Sequence, residues 1–275
     1  MIEGAGGLML ATRTWRPDGQ PRGVVVAVHG FKAHSGLFAW AAEQLTARGL
    51  AVYALDLRGH GRSEGERLYV EKFSDYVEDV KRLVEVAKMR EPGLPVFVLG
   101  HSAGGVVASM YALEHQTEIA GLISESFAHV VPAPDFALAL IKGISYLAPR
   151  LGVLDLKDDD FSRDPAFVER MKSDPLISHA AYPSHTVAEM VRADEQLREG
   201  FSKLTLPVLV MHGTDDKVTL PKGSKLFDEL GGSSDKTLKL YDGYAHDLLN
   251  DLGREAVMND IVDWTTRRLQ PAQVS

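Results

Sequence analysis

Short apolar runs alternate along this chain with longer stretches in which apolar residues recur every three or four positions. Runs of the first kind read as buried strands and those of the second as amphipathic helices. Strands are predicted at Leu8–Trp15, ended by the turn Pro17-Asp18-Gly19, and at Gly23–Val28, Leu50–Leu55, Val96–Leu99, Ile119–Ile123, Pro207–Met211 and Thr237–Tyr241. Between them, Leu37, Phe38, Ala41 and Leu45 mark one helix, closed by Arg48-Gly49. Phe73, Tyr76, Val77, Val80, Leu83, Val84 and Ala87 mark a second, which stops before Pro92-Gly93. Val106, Val107, Met110, Tyr111 and Leu113 mark a third, ending near His115; further helices are expected at Lys222–Leu230 and Arg254–Leu269. Strand and helix alternate, which with right-handed crossovers makes an α/β fold: a mainly parallel sheet with helices on both faces.

The alternation stops at about Phe127 and resumes after Glu199. The intervening segment reads as helical pieces broken by Pro132, Pro134, Pro149, Pro165, Pro175 and Pro183. An insertion of that length between sheet strands is usually functional, and a helical cap over a site is the natural role. The expected organisation is one domain, with residues 1–126 and 200–275 as core and 127–199 as cap.

Composition adds limits. A net charge of -8, with no run of Lys or Arg longer than Arg267-Arg268, argues against nucleic acid as the main partner. The absence of cysteine removes thiolate nucleophiles, thiolate metal sites and disulfides from consideration. Met1-Ile2-Glu3-Gly4 lacks a basic start and apolar continuation, so a cytoplasmic location is expected. The most apolar stretch, 130–144, is interrupted by Pro132, Pro134, Asp135 and Lys142 and falls short of a membrane span.

In an open parallel sheet, the site lies at the carboxyl ends of the strands. Three reactive groups follow strands in this chain. Ser102 sits in Gly100-His101-Ser102-Ala103-Gly104, between a strand and a helix, which is the form of a nucleophile elbow. Asp215 and Asp216 follow the strand ending at Met211, and His246 follows the strand ending at Tyr241. Serine, acid, histidine is a chain order that allows the histidine to take the serine proton and the acid to hold the imidazole in one tautomer. Asp216 is assigned the acid role, with Asp215 as the other candidate. The backbone N–H groups of Phe31 and Ala103 are expected to form the oxyanion hole. No metal is expected, since the ten histidines lack ligand spacing of the His-Glu-x-x-His kind, and no cofactor is implied. Asp158-Asp159-Asp160 is read as a solvated loop.

The segments His29-Gly30 with His34-Ser35-Gly36, Gly59 to Arg67, Gly93 to Ser102, Ser173 to Ile177, Gly213 to Lys217 and Lys236 to Tyr241, with His246, resemble monoacylglycerol lipases of the lysophospholipase-like α/β-hydrolases. The resemblance spans nearly the whole chain. It implies the α/β-hydrolase fold with a mobile apolar cap, a triad of Ser102, Asp216 and His246, and oxyanion donors at Phe31 and Ala103; the spacing Gly-x-x-Asp from Gly213 selects Asp216. Where the family carries a glutamate and an arginine near bound glycerol, this chain has Ala33 and Leu37, and Met171 stands for a cap tyrosine. These losses favour a more apolar ester, because recognition of a hydroxylated group rests on placed polar partners.

The expected activity is therefore hydrolysis of single-chain acyl esters through an acyl-enzyme on Ser102, with a broader carboxylesterase or thioesterase as the alternative. A cofactorless perhydrolase and a non-catalytic binding protein stand further off. Substrate contacts are expected from His29, Gly30, Ala33, Leu37 and His101 on the core side. On the cap side they are expected from Phe136, Leu140, Ile144 and Met171, with Leu138, Ile141 and Leu147 completing an apolar tunnel. The apolar cap is also expected to touch lipid aggregates.

Overall fold

The computed structural model describes residues 1–269; positions 270–275, the end of the expected core segment, lie outside the described residues. The central sheet is built from β3 (Thr12–Trp15), β4 (Gly23–Val28), β5 (Leu50–Leu55), β6 (Val96–His101), β7 (Gly121–Glu125), β10 (Val208–Gly213) and β11 (Lys236–Tyr241). They lie in the order β11-β10-β7-β6-β4-β5-β3, every pair parallel except β3 with β5.

The solid apolar runs follow from burial on both faces. Val24, Val26 and Val28 of β4 face α2 (Phe73–Arg90) and α3 (Ala103–His115), while Val25 and Ala27 face α1 (Ala39–Thr46) and α8 (Arg254–Leu269). Each face thus has its own core. With β4 and β6 parallel and adjacent at the centre, the loops after both strands leave at the same, carboxyl-terminal end of the sheet.

The expected strand Leu8–Trp15 is two strands. Met9–Leu10 (β2) pairs with Ile2–Glu3 (β1), whereas Thr12–Trp15 pairs with β5. The chain changes partner at Ala11, whose N–H donates to Ser63 Oγ and whose carbonyl accepts the Asp56 N–H. Alternating polarity cannot show such a change of sheet.

The segment between β7 and β10 adds no strand to the central sheet. It contains α4 (Asp135–Leu147), β8 (Gly152–Leu154), α5 (Pro165–Ser173), β9 (Tyr182–Pro183) and α6 (Ser184–Gly200). Three of its prolines mark helix starts: Pro134 and Pro183 precede α4 and α6, and Pro165 is the first residue of α5. The antiparallel pair β8–β9 was not expected, each partner being too short for a pattern. The remaining helix, α7 (Pro221–Leu230), connects β10 to β11. Among the described residues, no helix is long and apolar enough to cross a membrane.

Candidate active site

Ser102 lies between β6 and α3 with φ 56° and ψ −120°, in a region that costs a non-glycine residue roughly 1–3 kcal/mol. The turn is held by its surroundings. The Ser102 N–H donates to the Glu125 carbonyl at 2.9 Å, and the Gly105 N–H donates back to the Ser102 carbonyl. Two glycines let neighbouring backbone approach: a Cβ at Gly30 would lie 2.7 Å from Ser102 Cβ, and one at Gly104 would lie 2.3 Å from the Val28 carbonyl oxygen. The end of β4 is therefore pressed against the elbow.

His246 and Asp216 are both buried, and His246 Nδ1 donates to Asp216 Oδ2 at 2.7 Å. The same carboxylate accepts the N–H groups of Val218 and Thr219 on Oδ1, and the Thr219 hydroxyl and His212 Nε2 lie within 3.0 Å of Oδ2. Burial alone would raise the Asp216 pKa, but His246, His212 and their hydrogen bonds hold it far below the usual carboxylate range. Asp215 is exposed and has no part in this network; its N–H donates to the Tyr244 carbonyl.

With Nδ1 carrying the proton toward Asp216, His246 Nε2 is left as the acceptor. It is buried and without a hydrogen-bond partner. Burial outweighs the pull of Asp216 and keeps the imidazole below its ordinary pKa, and the neighbouring His101 adds to this effect. A neutral, unengaged nitrogen is what a general base requires.

The two residues expected to supply oxyanion donors line one apolar cavity of about 460 Å³. Neither the Phe31 nor the Ala103 N–H donates to another group among the described residues. The Phe31 N–H belongs to the peptide whose carbonyl, that of Gly30, accepts from His29 Nδ1 at 2.7 Å. His29 Nε2 in turn accepts the Leu57 N–H, and burial lowers the His29 pKa to about 3, so the ring is neutral. His29 accordingly fixes the peptide plane that carries a candidate oxyanion donor and does not face the cavity.

The other expected substrate contacts divide. Leu138 and Ile141 of α4 line the cavity, but Phe136, Leu140 and Leu147 are 75%, 61% and 90% exposed on its outer face, and Ile144 is half-buried outside the lining. Periodicity places Phe136, Leu140, Ile144 and Leu147 together on the side of α4 opposite Asp135, Lys142 and Ser145, and the structure leaves most of that side exposed. Met171 is buried with Phe161, Phe167, Ile177 and Val218, and Leu37 packs on the same cluster. Phe161 meets His246 edge to face at 5.2 Å, so this cluster backs the histidine while Leu37 and Met171 stay off the cavity wall. Ala33 is buried and Gly30 packs on the elbow.

His101 also lies off the cavity wall. Its Nδ1 lies 2.6 Å from Glu125 Oε2 and its ring 4.8 Å from that of His246. Burial opposes its charge, but the carboxylates of Glu125 and Asp247 overcome this and push its pKa up to about 9. Glu125 Oε1 accepts the Leu248 N–H, and Ser126 Oγ donates to the His246 carbonyl. The end of β7 thus joins the serine loop to the histidine loop. Glu125, Ser126, His212 and Thr219 are not among the site residues expected from sequence, although Glu125 and Ser126 do follow the predicted strand Ile119–Ile123. His101, Glu125 and Asp247 are the one buried set among the described residues spaced for a metal ion, their ligand atoms within 4.8 Å of one another. Within that set, Glu125 is occupied by His101 and Leu248, and Asp247 by Asn250.

The family model described as serine aminopeptidase, S33, matches residues 19–253. The chain belongs to this family. Curated relatives include a monoacylglycerol lipase of Mycolicibacterium smegmatis, 36% identical over 97% of this chain and 96% of that protein. Human monoglyceride lipase is 35% identical over 98% and 90%. Among solved structures, the monoacylglycerol lipase of Paleococcus ferrophilus superposes with a TM-score of 0.85 at 29% identity, covering 94% of this chain and 99% of that one. The fold is that of the α/β-hydrolases, and the protein is a serine hydrolase acting on carboxylic esters.

Proposed function

We propose that this family member hydrolyses single-chain acyl esters, monoacylglycerols among them, with Ser102 as nucleophile, His246 as general base and Asp216 as its orienting acid. The observation that carries the reading is the buried, unengaged Nε2 of a histidine whose Nδ1 is held by Asp216. Attack by Ser102 Oγ on the ester carbonyl passes its proton to His246 Nε2. The Phe31 and Ala103 N–H groups receive the oxyanion, and the imidazolium then protonates the leaving alcohol. Water repeats the sequence on the acyl-enzyme.

Residues 127–199 are the cap in this reading, over a core of 1–126 and the residues from 200 onward. The cavity supplies a mostly apolar wall for one acyl chain, from Val131, Leu138, Ile141, Val187 and Met190. Phe136, Leu140 and Leu147, exposed on one side of α4, are the residues through which the cap would touch a lipid aggregate.

The apolar cluster at Leu37 and Met171 favours a second reading, a carboxylesterase indifferent to glycerol. A series of p-nitrophenyl esters from acetate to palmitate, run beside monoacylglycerols and the matching methyl esters, separates the two. A preference of about tenfold or more in kcat/KM for the glycerol ester over the methyl ester of the same acid supports the first. Equal rates establish the second, and a maximum at acetate contradicts an acyl-chain site.

A further inference from the structure

Lys32, directly after the candidate oxyanion residue, is a buried lysine with φ 52°. Backbone in that region persists where neighbours over-determine it. The neighbours here all come from the inserted segment. The Lys32 N–H donates to the Tyr182 hydroxyl at 2.6 Å, and its ammonium donates to the Leu156 carbonyl at 2.6 Å and pairs with Asp158 at 2.8 Å. Tyr182, itself fully buried on β9, also stacks on the Phe31 ring with centroids 4.0 Å apart and planes 18° apart.

The hydrogen-bond directions form one chain. Burial lowers the His60 pKa to about 4, so its ring is neutral. Its Nδ1 faces the Arg58 carbonyl and must donate, leaving Nε2 to accept the Tyr182 hydroxyl proton at 3.2 Å. The Tyr182 oxygen is then free to accept from Lys32. Core residue His60 and the backbone of Lys32 are thus bridged by one hydroxyl of the insertion.

Phe31 is consequently fixed on three sides: its own peptide through the Gly30 carbonyl and His29, its ring through the Tyr182 stack, and the following N–H through the Tyr182 hydroxyl. We propose that Tyr182 is a positioning residue that sets the Phe31 N–H for the oxyanion, so that the insertion completes the oxyanion hole. The proposal rests on the assignment of Phe31 as an oxyanion donor made above. It gives the cap a part in the chemical step beyond covering the acyl chain.

The test compares Tyr182→Phe, which keeps the ring and deletes the hydroxyl, with Tyr182→Ala, which deletes both. Rates are measured on p-nitrophenyl butyrate and normalised to serine titrated with a fluorophosphonate. Inhibition is measured with an alkyl trifluoromethyl ketone, which forms the tetrahedral oxyanion, and with the matching ether, which does not. Tyr182→Phe should lower kcat about five- to tenfold with KM within about twofold, and weaken the ketone by the same factor while sparing the ether. Tyr182→Ala should approach a loss of about a hundredfold, the scale of one oxyanion donor. Unchanged kcat and ketone affinity in both variants, or a loss matched by lost titratable serine, overturns the proposal. A ketone that binds the unsubstituted enzyme no better than the ether instead overturns the oxyanion assignment itself.

Discussion

Replacement of Asp216 by asparagine is expected to lower kcat about 10⁴-fold without unfolding the protein. The reason lies in proton placement. Asp216 Oδ2 receives the Nδ1 proton of His246 at 2.7 Å, and the partners of the carboxylate number two backbone N–H groups, one hydroxyl and a second histidine, His212. An amide oriented to keep the Val218 and Thr219 N–H bonds on its oxygen turns its NH₂ toward His246. Nδ1 must then accept, the proton moves to Nε2, and the nitrogen that should take the serine proton already carries one. Asp215→Asn should change kcat by less than about twofold, since Asp215 is exposed and contributes only its backbone. Steady-state kinetics on a p-nitrophenyl ester, with thermal melts of both variants, check the pair. Equal losses in both would remove the distinction between the two aspartates.

The second large effect is on stability. Gly104→Ala is expected to cost about 3 kcal/mol and to lower Tm by roughly 5–10 °C, with activity falling further than folding accounts for. The added methyl would sit 2.3 Å from the Val28 carbonyl oxygen and 2.4 Å from that of His29, both backbone atoms that no rotamer change can move aside. Either α3 lifts from the sheet or the end of β4 shifts, and the latter carries Gly30 and Phe31 with it. Differential scanning calorimetry beside active-site titration measures both parts. A variant with unchanged Tm would show that the β4–α3 contact is looser than the geometry indicates.

Much of this arrangement is legible from sequence because it is local. Gly100 to Gly104 declares its turn within five residues, β4, β5 and β6 declare burial on both faces by their unbroken apolar runs, and the triad order follows from which strand precedes each group. Contacts across long sequence separations are not legible in that way. Glu125 reaches Leu248 across 123 residues and Tyr182 reaches Lys32 across 150, and no spacing rule encodes either meeting. Helix α4 shows a different limit: its most apolar side, with Phe136, Leu140, Ile144 and Leu147 opposite Asp135, Lys142 and Ser145, is not the side turned inward. The structure turns Leu138 and Ile141 toward the cavity and leaves Phe136 and Leu140 to solvent. His29 and His101 were expected beside substrate because they adjoin the right motifs. Both ring nitrogens of His29 engage backbone instead, and His101 Nδ1 pairs with Glu125 while its buried Nε2 has no partner among the described residues, so both rings support the site.

Ser102 is the nucleophile in the proposed mechanism. The direct measurement is intact mass followed by peptide mapping after exposure to an alkyl fluorophosphonate, on the unsubstituted protein and on Ser102→Ala. One adduct per chain, located at Ser102, with no adduct and no ester hydrolysis in the folded Ser102→Ala protein, is the predicted result. An adduct on any other residue, or hydrolysis that survives the substitution, would contradict it.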